Sequence, residues 1–318
     1  MMKYFRTYPP GMQLLLFLLM TFTLFSLALA FIGVMLPKVY GVPTSAIQNI
    51  TDKSAPVLIH VSLVAQGIGS LMMFAAPSLL FAYLAHPKPI KYLGLKAPQK
   101  PIHLLLAVLV MLGAMPVFMA LQTLMGHINF GAEVQAKQEA AETVARAYLT
   151  MPTFADFIRT FLIVAILPAI GEELFFRGMI MRFTHKSSHN IVLAVLFSAI
   201  MFAFVHASYT GLPSIFLAGA LLAVIYNLTG SLWCGIAAHL FFNGLQIIFA
   251  YVEKGNTNTG AAPTDTGIQW GFVAGGVVLF AGAFYMLWKT RTPLPRNWSD
   301  DFDQPQNSTT DENPAIFN

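Results

Sequence analysis

The 318-residue chain has one cysteine, Cys234. A lone cysteine excludes an internal disulfide and any metal site built on thiolates, and leaves the redox compartment unread. Charge is also scarce: Asp, Glu, Lys and Arg make up 10% of the chain, where soluble domains carry about 25%. There is no Gly-rich phosphate loop, no convincing internal repeat and no H-E-x-x-H zinc-protease signature. Apolar residues take their place, at 56% of the total with 27 Phe and 16 Met. Such a composition describes a polytopic membrane protein rather than a soluble domain, with Phe and Met suited to lipid-facing and loosely packed interhelical surfaces. The net charge of +4 does not indicate nucleic acid, because the basic residues gather at the ends of the apolar runs.

Those runs fall at about 12–36, 57–85, 102–126, 154–182, 190–208, 212–229, 231–252 and 268–288. They predict an all-α bundle of about eight transmembrane helices, forming a single domain over 1–296. Ala28-Leu29-Ala30 looks like a signal-peptide cleavage site, but the apolar run continues to Leu36 and is long enough to span, so it is read as the first membrane helix. "GAEVQAKQEAAETVARAYL", within 127–153, reads as a surface helix. Residues 297–318 are polar, acidic and Pro-containing, and read as a disordered tail.

Lys3, Arg6, Lys88, Lys91, Lys96, Lys100, Arg182, Lys186, Lys289, Arg291 and Arg296 fall on one side, against Lys38, Lys53, Lys137, Arg146, Arg159 and Lys254 on the other. The bias places both termini in the cytoplasm. The expected location is a bacterial plasma (inner) membrane, with the lipid bilayer as the surrounding partner.

"AIGEELFFRG", residues 169–178, puts two glutamates and an arginine into a membrane helix. Each such charge costs roughly 2.5–3.5 kcal/mol at the bilayer centre, so partners are required. Glu173 and Arg177 stand at i and i+4, acid first, the favourable order for a helix ion pair. Glu172 points about 100° away and is left for chemistry. His206 on the fifth span, and His239 and Asn243 at i and i+4 on the seventh, are the other strongly polar residues at depth. At about 1.5 Å per residue Glu172, His239 and Asn243 lie roughly 12–18 Å deep, while His206 at about 22 Å is the outlier. Pro168 and Gly171 mark either a water-accessible break beside Glu172 or a packing kink.

A carboxylate, two histidines and an asparagine can hydrolyse an amide. Glu172 would take a proton from water, His206 would orient that water, and His239 with Asn243 would donate to the oxyanion. Glu172, His206 and His239 also make a two-His-one-carboxylate set for Zn2+, with a position open for water. The residues do not choose between metal and bare water. His60, His103, His127, His185 and His189 are assigned to the membrane interface. Trp233 and Trp270 are read as interfacial anchors, and Gly271 with Gly275 as a helix-packing pair.

The pattern resembles the CAAX protease and bacteriocin-processing (CPBP, or Abi) family of intramembrane endopeptidases. Glu172 to Arg177 matches its E-E-x-x-x-R motif, Phe202 to His206 its F-x-x-x-H, and His239 to Asn243 its H-x-x-x-N. "GSLWCGIAAHLFFN", 230–243, is similar to its final motif region. The likeness covers roughly 154–250. It implies that Glu172 is the catalytic base, that His206, His239 and Asn243 complete the site, and that Glu173 and Arg177 support it. It also implies a membrane-associated protein or peptide substrate and a cavity opening towards the cytoplasm. A proton- or ion-coupled transporter is the alternative from another class, but it calls for paired broken helices and repeats. An inactive scaffold within the family is the other alternative.

Overall fold

The computed structural model describes residues 5–255 and 268–300. It is helical throughout, with no strand among the described residues. The main elements are α1 (Pro10–Tyr40), α2 (Pro56–Ala85), α3 (Ile102–Gly126), α4 (Ala132–Tyr148), α5 (Phe154–Ser188), α6 (Ile191–Val205), α7 (Leu212–Thr229), α8 (Leu232–Gly255) and α9 (Trp270–Thr290). Seven of these are long and apolar enough to cross a bilayer. This is an all-α integral membrane protein. Phe22, Phe204 and Val278 are 70–74% exposed, which suits side chains whose solvent is lipid.

The eighth expected span is shorter than its apolar run. Helix α6 has 15 residues, about 22 Å of rise against a hydrocarbon core of about 30 Å. Asn190 caps its start by accepting from the Val192 and Leu193 amides. At the other end Ala207 adopts φ +48°, a left-handed conformation that a helix cannot continue through. Helix α4 is the polar surface helix expected, with a Lys137–Glu133 pair at 2.7 Å on its exposed side.

Two kinds of packing hold the bundle. Helices α3 and α9 cross where a Cβ on Gly113 would lie 2.4 Å from the Phe280 nitrogen and one on Gly276 2.7 Å from Pro116 Cγ. Gly271 and Gly275, the expected packing pair, have nothing within 4 Å. Beside α5, Phe17, Phe74, Phe81, Phe175 and Phe183 form a chain of rings with centroids 5.0–5.7 Å apart. Such pairs add about 0.5–1.5 kcal/mol each beyond simple burial.

Helix α5 is interrupted by π-helical turns at Phe161–Ile166 and Leu174–Met181, and α2 by one at Leu71–Ala75. The regular stretch between the two α5 turns, Leu167–Glu173, carries the acidic pair. Turns of this kind gather at functional sites in many helices.

Both ends of the described chain reach one face of the bundle, which we call the terminus face. Phe5 packs on Phe81, and Trp298 packs on His185 and Tyr226. Backbone bonds lace this face together: Thr292 to the Leu228 carbonyl, Leu294 to that of Asn227, and Leu232 to that of Gly94. Arg182 lies beneath, 4.3 Å from the Tyr92 ring centre, and donates to the Ser299 carbonyl at 3.0 Å. Residues 297–300, expected as the start of a disordered tail, are docked on this face instead, with Trp298 only 4% exposed and Ser299 buried. The remainder of that tail, 301–318, lies outside the described residues. Two histidines assigned to the interface are also buried: His103 bonds the Thr290 carbonyl and His185 the Ser299 hydroxyl.

Candidate active site

The supporting pair forms as its spacing predicts. Arg177 donates to Glu173 at 2.6 Å, and neither side chain has any exposure. A second guanidinium nitrogen donates to the Gly219 carbonyl at 2.6 Å. The carboxylate fits because residue 235 is glycine: a Cβ there would stand 2.9 Å from Glu173 Oε2. Burying a charge is tolerable when it is paired and hydrogen-bonded, and here α5 and α7 supply both conditions.

His239 adds a third helix. Its Nδ1 lies 3.2 Å from Glu173 Oε1. The ion-paired carboxylate accepts, so the ring donates from Nδ1 and turns Nε2 towards Glu172, 3.9 Å from Oε2. His206 arrives from α6 with the same polarity. Its Nδ1 donates to the Phe202 carbonyl at 2.7 Å, and its Nε2 faces Glu172 Oε2 at 3.8 Å. Both imidazoles are thus held by one nitrogen and present the other to the same carboxylate oxygen.

Glu172 Oε2 is buried and has no hydrogen-bond partner. Gaps of 3.8 and 3.9 Å exceed a hydrogen bond, but a water seated beside the three atoms can reach all of them. Asn243 lies one turn beyond His239 on α8, half-buried, with no hydrogen bond among the described residues.

The donor chemistry suits a metal in one respect, because ligating histidines characteristically donate their other N–H to a carboxylate or carbonyl. In spacing it does not: no three His, Cys, Asp or Glu side chains among the described residues are placed to hold an ion.

Residues 154–245 match the family model described as type II CAAX prenyl endopeptidase Rce1-like. The matched segment runs from the start of α5 into α8 and contains every motif residue named above. It supports an intramembrane endopeptidase in general. No curated protein and no solved structure matches the chain.

Within the matched segment, the difference in depth between Glu172 and His206 closes. Helix α5 runs to Ser188 rather than 182, placing Glu172 about 24 Å from that end and His206 about 22 Å from the start of α6. Gly171 is explained by packing: a Cβ there would lie 3.4 Å from Ala75 and Phe74 on the π-turn of α2.

Three positions escaped the residue-by-residue reading as parts of the site. Gly219 and Gly235 make room for the ion pair, and Gly235 stands four residues before His239 on one helix face. Phe202 is the third. Its ring lies 4.8 Å from the Arg177 guanidinium, 4.6 Å from the His206 ring and 5.9 Å from that of His239.

Every residue from Gly171 to Phe183 is buried, and the laced terminus face closes what lies beyond. His206, by contrast, sits at the far end of α6 with its side chain 32% exposed. The exposed edge of His206 lies towards the face opposite the chain's two described ends, which we call the open face.

Proposed function

We propose that this protein is an intramembrane endopeptidase that hydrolyses a peptide bond in a membrane-associated protein or peptide, with Glu172 as general base. The observation that carries the reading is the convergence of two oriented imidazole Nε2 atoms on one unpartnered Glu172 oxygen. A water held there gives one proton to Glu172 and its second hydrogen bond to His206 Nε2. Its oxygen attacks the scissile carbonyl. Asn243, and His239 when it carries a proton on Nε2, donate to the oxyanion. Glu172 then delivers its proton to the amine nitrogen as the C–N bond breaks, so that base becomes acid.

A zinc-bound water is the alternative that the donor types of Glu172, His206 and His239 alone would allow, with Nδ1 of each ring tethered. The three are not spaced to hold an ion, so no step is assigned to a metal. The excess of Lys and Arg on the terminus face supports a cytoplasmic position for that face.

The test is cleavage in proteoliposomes, with the substrate found by comparing membrane peptides from cells with and without the protein. Glu172→Gln should reduce the rate by about 10²–10⁴, and a wild-type rate in that variant ends the proposal. Metal analysis and chelator sensitivity of the same preparation separate the two mechanisms: one zinc per chain with loss on chelation replaces the bare water by the metal.

A further inference from the structure

A groove of about 650 Å³ lies on the open face, between the end of α3, helix α4 and the α6–α7 loop. Tyr209 and Thr210, which line it, follow three and four residues after His206. The groove is therefore continuous in sequence with the catalytic wall, and it sits on the side from which that wall is exposed. Its volume is in the range of specific ligand sites.

The lining says what can occupy it. Gln122, Gln135 and Gln138 offer side-chain amides, and Thr123 and Thr210 offer hydroxyls. Gln135, Gln138 and Thr123 already donate to Asn129, Glu142 and the Met119 carbonyl and keep acceptors, while Gln122 and Thr210 make no hydrogen bond among the described residues. The lining thus offers both the donors and the acceptors that an extended peptide backbone needs on leaving water. The charged residues of the lining are Glu139 and Glu142, with no Lys or Arg among them. Glu139 has no ion pair among the described residues, and Glu142 meets Arg146 at 3.7 Å and accepts from the Gln138 amide at 3.0 Å. A phosphate headgroup would find no cation here, whereas a polypeptide carrying Lys or Arg would find two carboxylates.

We infer that this groove binds the extended, basic flank of the substrate polypeptide and feeds the scissile bond past Tyr209 to His206 and Glu172. The inference rests on the proteolytic reading for its meaning, but its test does not use catalysis. Purified Glu172→Gln protein is titrated with fluorescein-labelled ten-residue peptides, one rich in Lys and Gln and one rich in Glu and Gln, and anisotropy is followed. The Lys peptide should bind more tightly. Glu139→Gln with Glu142→Gln, or Thr210→Trp filling the groove, should weaken it about fivefold or more. Lys91→Ala on the terminus face should leave it unchanged. Equal binding of the Glu peptide, no binding of either, or insensitivity to the groove substitutions overturns the inference. So does saturable binding of a soluble fluorescent short-chain anionic phospholipid that Thr210→Trp abolishes, which would assign the groove to headgroups. Loss of the proteolytic reading would appear elsewhere, as undiminished cleavage by Glu172→Gln.

Discussion

The two sides of α5 at Gly171–Arg177 sit in opposite surroundings. On one side Glu173 is enclosed by Arg177, His239 and the bare backbone of Gly235, and its negative charge is answered within hydrogen-bond distance. On the other, Glu172 is nearly as buried, yet its Oε2 has no partner and both facing imidazoles stand too far off to bond it. Each carboxylate keeps a buried Oε2 without a partner, so neither burial nor an unfilled acceptor separates a structural acid from a reactive one. A bonded counter-charge does, since Arg177 stands 2.6 Å from Glu173 and nothing charged comes within hydrogen-bond distance of Glu172. The enclosed side holds the geometry, and the open side uses it.

That contrast can be broken by substitution. The largest effect belongs to Glu172→Gln: cleavage should fall by about 10²–10⁴ while the thermal unfolding midpoint in detergent holds or rises, because an unpartnered buried carboxylate has been removed. A fall in the midpoint would move Glu172 to the structural side. Glu173→Gln or Arg177→Met should act the other way, destabilising by about 3–5 kcal/mol as a buried charge loses its mate, and the same unfolding curves read this. Unchanged stability with lost cleavage would exchange the two roles. Asn243→Ala should cost about 10²–10³ in kcat, with KM and stability nearly unaltered. The smallest change is expected for Phe202→Leu, which removes a ring shared by Arg177 and both histidines. It should cost about 1–2 kcal/mol of stability and slow cleavage modestly, as the imidazoles gain freedom to turn.

Much of this was legible in the residues. The Glu173–Arg177 pair follows from helical spacing, and the high cost of charge in lipid singles out the few polar residues that converge. What escaped detection depends on contacts between distant segments. The run 190–208 looks long enough to span, and only the left-handed turn at Ala207 and the ring bond of His206 show why its helix ends early. Residues 297–300 look like solvated tail, although Trp298, the one large apolar group among them, was a signal that they dock. Nothing in local composition tells which end of the bundle is closed, since that depends on how 86–101 and 291–300 fold over the ends of α5 and α7.

The π-turn at Leu174–Met181 has a consequence for how this chain can change over time. Each such turn holds one residue more than a regular helix would, so deleting a residue from it can restore ordinary helical bonding at little local cost. The segments on either side would then keep close to their present orientation, with Glu172 and Arg182 still facing the partners each now has. A residue lost from the regular stretch Leu167–Glu173 has no such slack and would rotate everything beyond it by roughly 100° about the axis. Length should therefore be freer to vary in the π-turn than in the regular stretch that carries the acidic pair.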